Sequence, residues 1–286
     1  MQYVFKIFIL FSLLLVHTGC SNAVGDNAHP DIKDYFDLHW ARKSYWDDGK
    51  AEVAKYTAER IIYGKVRNFE YTFILVKEDF NEEFNVKTDN YKRKDLFNVM
   101  KVNQFCRIET DNYPYHFMSS FFYRRENPIL LHKATISSQE WCGNTFKAYN
   151  TTEEYYNFNF NSYWDNQGEG SYQLDKDALF EDQLSYSLRS LKFKEGLNFD
   201  YRIIENQVSN KADKPLIYHA TITVNTSLAN ENLWKVVVTL DNVKVNEYQF
   251  EKTYPNVLVS QNTWDRRNMI LQSLERNEYW KINKLQ

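Results

Sequence analysis

Apolar and polar residues alternate with a period of two over most of this chain, a pattern that predicts strands lying on a half-buried sheet. Strand-like segments cover residues 50–62, 69–77, 96–109, 115–125, 129–138, 145–149 and 152–165, and again 216–224, 234–240, 243–250, 256–260, 269–274 and 279–282. The run Tyr71-Thr72-Phe73-Ile74-Leu75-Val76 is apolar on both faces, so both sides of that strand should be covered. Pro114 in the 110–114 turn bars continued pairing, and Leu240-Asp241-Asn242-Val243 has the short Asp-Asn link of a tight hairpin. Two stretches break the period. From Pro30, residues Ile32, Tyr35, Phe36, His39 and Trp40 fall at helical spacing, and over 177–191 Leu179, Leu184, Leu188 and Leu191 do the same, with Asp175 or Asp177 as a cap. The expected fold is mainly β: one large curled antiparallel sheet, half-barrel or sandwich-like, with one or two short helices and a single domain over 30–286. A sheet of that width curls or splits into layers.

Composition strengthens the β reading. Aromatic residues make up 17% of the chain, with 21 Tyr, 20 Phe and 7 Trp, and such rings fit a pleated surface. With only 8 Gly and 5 Pro, most turns must fall to Asn and Asp, which tolerate left-handed geometry. The formal net charge is −3 and the 35 basic residues are scattered, so no concentrated basic face is expected and nucleic acid is excluded as a partner.

The first twenty residues give an address. Lys6 precedes an apolar run over 7–16, then His17-Thr18-Gly19-Cys20. The run is too short to span a bilayer, which takes about 20 apolar residues, and has the length of a signal peptide. A small residue before Cys suits a lipoprotein signal peptidase, although His17 stands where an aliphatic residue is usual. Residues 1–19 are therefore expected to be removed, Cys20 to be lipidated and 20–29 to form a tether, so that the lipid holds the protein at the membrane. Ser-Asn-Ala-Val-Gly over 21–25 carries no acidic run, which points to the periplasmic face of an outer membrane.

Catalytic templates are absent: there is no Gly-x-Ser-x-Gly, His-Glu-x-x-His, phosphate-binding Gly-x-x-x-x-Gly-Lys or Cys-x-x-Cys. Six scattered histidines suggest no metal, and no cofactor is expected. Ser44-Tyr45-Trp46-Asp47-Asp48-Gly49 echoes Ser162-Tyr163-Trp164-Asp165-Asn166-Gln167-Gly168; both read as an aromatic strand end entering a turn, and the first lacks the ligand pattern of a calcium loop. With Cys20 lipidated, Cys106 and Cys142 could form a disulfide or remain two free thiols, or Cys142 could act as a nucleophile with His116, His132 or His219 as base.

Ser137-Ser138-Gln139-Glu140-Trp141-Cys142-Gly143, together with Tyr45-Trp46, Gly49-Lys50-Ala51-Glu52, Glu78-Asp79-Phe80 and Tyr113-Pro114-Tyr115 followed by Met118, resembles a family of uncharacterised Bacteroidota lipoproteins. Its members often carry the label "septum formation inhibitor Maf", although this chain shows neither the basic nucleotide-binding motif nor the α/β pattern of true Maf proteins. The resemblance spans about residues 40–280 and implies an envelope lipoprotein without an established reaction. Where relatives have Arg-Tyr-Gly-Glu, this chain reads Arg60-Ile61-Ile62-Tyr63-Gly64-Lys65, so no role is expected for that glutamate.

Strands apolar on both faces, with little helix to cover the second, point to an aromatic-lined concave face that takes an apolar or glycan ligand without catalysis. Gln139, Glu140, Trp141, Tyr113, Tyr115 and Trp46 are the candidate binding residues. The rival readings are a periplasmic or surface hydrolase using Cys142 or Glu140, and an envelope scaffold.

Overall fold

The structure, a computed structural model, describes residues 31–281. The predicted signal peptide, Cys20 and the tether lie outside the described residues. Three 3-10 turns, Ile32–Tyr35, Trp40–Arg42 and Ser44–Trp46, replace the expected first helix. Phe36 and Trp40 keep helical spacing but Trp46 does not, and separate turns send all three inward.

Nine strands follow in the first half: β1 (Ala51–Ile62), β2 (Lys65–Asn81), the two-residue β3 (Val86–Lys87), β4 (Leu96–Ile108), β5 (Tyr115–Arg124), β6 (Leu131–Glu140), β7 (Gly143–Thr151), β8 (Tyr155–Ser162) and β9 (Glu169–Asp175). After β10 (Leu179–Phe180) come a 3-10 turn, a single α-helical turn α1 (Leu184–Ser187) and another 3-10 turn ending at Ser190. The second half holds β11 (Leu197–Ile204), β12 (Ile217–Thr226), β13 (Leu233–Leu240), β14 (Lys244–Glu251), β15 (Leu258–Asn262) and β16 (Asn268–Asn277). Tyr279–Lys281 is a 3-10 turn, where the sequence pattern predicted a strand.

All sixteen strands belong to one sheet, antiparallel except for the pair β10–β11. The chain starts in the middle of the sheet with β1 and moves outward strand by strand to the edge at β9. Three residues, 176–178, carry it to the opposite edge at β10, and it then returns to the middle, where β16 pairs with β1. A link that short brings the two edges near each other, so the sheet must curl. Arg202 bonds Asp175, and the Tyr201 hydroxyl bonds Asp177 at 2.7 Å, across the gap. The edges are not hydrogen-bonded to each other as strands, and the sheet stays open.

The concave side is filled by the chain's own residues 178–191, each of them buried. Ala178, Phe180 and Tyr186 join an apolar cluster with β4–β9, while Leu179, Leu184, Leu188 and Leu191 join a second cluster with β11–β16 and β1. The leucine spacing seen in the sequence is therefore real, but it serves a segment of short strand, 3-10 and α-helical turns lying between two halves of a folded sheet. Ile74 and Val76 are buried on the opposite face of β2 beside Ala51 and Val53, which fulfils the expectation that this strand is covered twice.

Most polar groups on the central segment have partners, as burial demands, while the Tyr186 hydroxyl has none among the described residues. Arg189 donates to both oxygens of Glu52, at 2.6 and 3.1 Å, and to the Pro255 carbonyl. Glu181 accepts from Arg267 and Asn246, Gln183 donates to the Ile129 carbonyl, and Ser187 donates to the Pro128 carbonyl. Asp182 accepts from the backbone N–H groups of Gln207 and Val208 and from the Asn206 side chain.

Candidate ligand-binding rim

Three turns meet at one end of the sheet. The β1–β2 turn puts Tyr63 and Gly64 in the left-handed region, with φ of 53° and 71°, the geometry of a two-residue hairpin. Glycine adopts it freely and tyrosine does so at a cost. The turn aims the Tyr63 hydroxyl at those of Tyr115 (2.5 Å) and Tyr113 (3.3 Å). In the β4–β5 turn, the Thr110 hydroxyl donates to the Tyr113 carbonyl at 2.7 Å, and Asp111 accepts from Lys65 and Arg67, tying this turn to the β1–β2 hairpin. The third turn, β6–β7, carries Trp141 and Cys142.

Trp141 is 78% exposed and stacks on Tyr113, with ring centres 6.0 Å apart. Tyr113 lies 5.7 Å from Tyr115, which stacks in turn on Phe117 at 6.1 Å, so a row of rings runs from the tip of the turn toward the interior. The Cys142 thiol donates to the Tyr113 hydroxyl at 3.3 Å. Gly143 follows because a Cβ there would lie 2.3 Å from the Tyr163 ring; only glycine lets that tyrosine lie over the turn. The bonds from Cys142 and Tyr63 hold the Tyr113 phenol above its usual pKa, and burial followed by the Tyr63 bond does the same for Tyr115. Both hydroxyls therefore stay neutral and act as donors and acceptors.

Glu140 faces inward. One of its oxygens accepts from Asn210 at 2.9 Å, and the other is screened from solvent and has no partner. Asn210 belongs to the segment between β11 and β12, whose carbonyls also receive Thr145 and the buried Lys147. Burial lowers the Lys147 pKa to about 8. Gln139 points outward from β6, across from His116 on β5. Both line an open depression of about 680 Å³ on the convex face, with Phe105 and Met118 in the next row.

The structure thus brings together Tyr113, Tyr115, Glu140 and Trp141, with Gln139 on the neighbouring outer face. It separates Trp46, which is 2% exposed and packs against Trp40, Tyr45 and the Arg189 guanidinium elsewhere in the interior. Cys106 and Cys142 are free thiols, not a disulfide. Cys106 lies on β4, opposite Phe117 of β5, whereas Cys142 is in the turn after β6. Two strand spacings of roughly 4.8 Å exceed the Cα separation of about 7 Å that a disulfide can bridge. His132 bonds Asn85 at 2.7 Å, and among the described residues no histidine bonds Cys142. Sequence reasoning missed Tyr63, Phe117 and Asn210; only the Tyr63-Gly64 pair, a hairpin signal, could have pointed to one of them. Among the described residues no group of three or more His, Cys, Asp or Glu is placed to hold a metal ion.

No protein-family model matches the chain, and no curated protein does. Among solved structures, a DUF1089 family protein from Pseudomonas aeruginosa is similar at 10% identity and a TM-score of 0.38, over 56% of this chain and 82% of that one. At that score the likeness carries no functional argument.

Proposed function

We propose that this protein is a lipid-anchored, non-enzymatic envelope protein whose aromatic rim binds a glycan. The observation that carries the reading is Trp141, a large flat ring left 78% exposed, braced by Tyr113 and surrounded by neutral tyrosine hydroxyls. Aromatic faces with a polar handle suit a ligand that is apolar on one face and hydroxylated at its edges. Cavity size favours a glycan over an acyl chain. Ligand pockets run from about 300 to 1,000 Å³, whereas two cavities beside residues 181–189 hold about 50 and 20 Å³. The outer depression of about 680 Å³ is large enough but open, as suits a polymer laid across a surface. Attachment through Cys20 would keep the rim close to envelope polysaccharide.

Co-sedimentation of the detergent-solubilised protein with isolated peptidoglycan sacculi and with extracted envelope polysaccharide tests the reading. Trp141→Ala should weaken retention at least tenfold, while Cys142→Ser and Glu140→Gln should change it less than twofold. Release of soluble sugar by the wild type, lost in Cys142→Ser or Glu140→Gln, would overturn the proposal in favour of a hydrolase.

A further inference from the structure

Three cations buried in the interior have acceptors: Arg189 has Glu52 and the Pro255 carbonyl, Arg267 has Glu181 and Asp265, and Lys147 has the Gln207 and Lys211 carbonyls. Arg60 has none. It projects from β1 into the concave side, deeply surrounded with only part of its surface open, and its guanidinium makes no hydrogen bond or ion pair among the described residues. Its contact is the Phe117 ring, 5.0 Å away, the last of the row that starts at Trp141. A stacked guanidinium keeps its five N–H donors in the plane of its edge, where a planar acceptor can take two at once. The Arg60 donors are not sealed from solvent and so are open to an incoming acceptor.

The space beside Arg60 is a cavity of about 50 Å³ lined also by Tyr71, Cys106, Gln104 and Asn268. One water needs roughly 10–15 Å³ of such space, so there is room for a carboxylate and its adjoining carbon but not for a sugar ring. The Tyr71 hydroxyl has no partner among the described residues and supplies a further donor. Burial raises the Cys106 thiol pKa to about 12, so it adds no competing negative charge. Four acids are near: Asp265, which is paired with Arg267, and Glu59, Glu181 and Asp182, which line the cavity. Glu181 and Asp182 accept from the donors described above, and Glu59 accepts from Asn268 at 2.7 Å. Each of these acids has a donor of its own, and Arg60 is the group without a partner among the described residues.

We propose that this cavity is an anion site, in which Arg60 takes the two oxygens of a carboxylate and the Tyr71 hydroxyl donates to one of them. The site is enclosed by the sheet and stands independently of the reading of the rim. Its ligand is either a free small carboxylic acid or the acidic end of a larger molecule, since both present the same group.

Titration of 13C-labelled acetate against the detergent-solubilised full chain, followed by NMR and matched in ionic strength with chloride, tests the proposal. Saturable binding is expected in the wild type, at least tenfold weaker in Arg60→Gln, partly restored in Arg60→Lys, whose point charge lacks the fork, and about threefold weaker in Tyr71→Phe. If Arg60→Gln does not fold, Tyr71→Phe carries the test. Hexanoate binding at least tenfold tighter than acetate identifies the acidic end of a larger ligand, and equal affinity a free small acid. Acetate that does not saturate the wild type beyond chloride, or that binds Tyr71→Phe and any folded Arg60 variant like the wild type, overturns it.

Discussion

Trp46 and Trp141 each stand within three residues of a glycine at the entry to a turn, and the fold treats them in opposite ways. Around Trp46 the chain's own residues exclude nearly all solvent, although the Trp46 and Trp40 indole N–H groups are left without a hydrogen-bond partner among the described residues. Trp40 and Tyr45 pack on the Trp46 ring, Arg189 and Arg276 lie over it, and Glu52 neutralises Arg189 at 2.6 Å. Around Trp141 the chain supplies one side only: Tyr113 braces one face and the remainder meets solvent. Density of aromatic residues is common to both regions. The difference is a buried ion pair, which closes the first cluster because a desolvated charge requires complete coordination, whereas the neutral hydroxyls of the second can be left for water or a ligand.

The largest expected effect breaks the closed cluster. Glu52→Ala leaves Arg189 buried without its counter-charge and should cost about 3–5 kcal/mol, read from the midpoint of urea unfolding. A loss below about 1 kcal/mol would mean that Arg189 finds solvent and the cluster is not closed. Asp182 sharpens the same contrast, because its bonds to 206–208 hold the segment that underlies the rim. Burial pushes its carboxyl up to about 6, despite its backbone donors, against an unfolded value near 3.9. Between about pH 4 and 6 the folded chain holds this proton more tightly than the unfolded one, so its contribution favours folding below pH 4 and is lost as pH rises through 6. The stability difference between wild type and Asp182→Asn should therefore shift by about 3 kcal/mol over that window, the wild type losing ground at higher pH; a constant difference would show the carboxyl to be unperturbed. The smallest effect belongs to the open cluster. Trp141→Ala should stay within about 0.5 kcal/mol of wild type in the same unfolding assay, and a loss beyond 2 kcal/mol would make that ring part of the core.

Much of the sheet was legible because a period of two survives wherever one face is buried. The hairpin at Asp241-Asn242 lies where the turn chemistry put it, with both residues at positive φ. β9 and β11 escaped notice because Gly170 in the one and Asp200 with Arg202 in the other thin the apolar signal. The interior segment was misread for a different reason. Leu179, Leu184, Leu188 and Leu191 do mark buried positions, but Glu181, Asp182, Gln183, Ser185 and Arg189 between them are buried too, and a polar side chain satisfied by a partner 50 or more residues away leaves no local trace. Ser-Gln-Glu-Trp-Cys-Gly falls at the β6–β7 turn, and which of its members face outward depends on Tyr113, Asn210 and Tyr163, brought from three other parts of the chain.

The pairing of β1 with β16 bears on how the protein is made. Glu52 is registered with Arg276, so the seam in the middle of the sheet joins segments more than two hundred residues apart. Hairpins within each half form from local contacts, but this seam must wait for nearly the whole chain and for the entropy of closing a loop of that length. Until then one edge of β1 presents unpaired backbone groups to any other strand. The last strand of the sheet to be synthesised is the one that removes that edge.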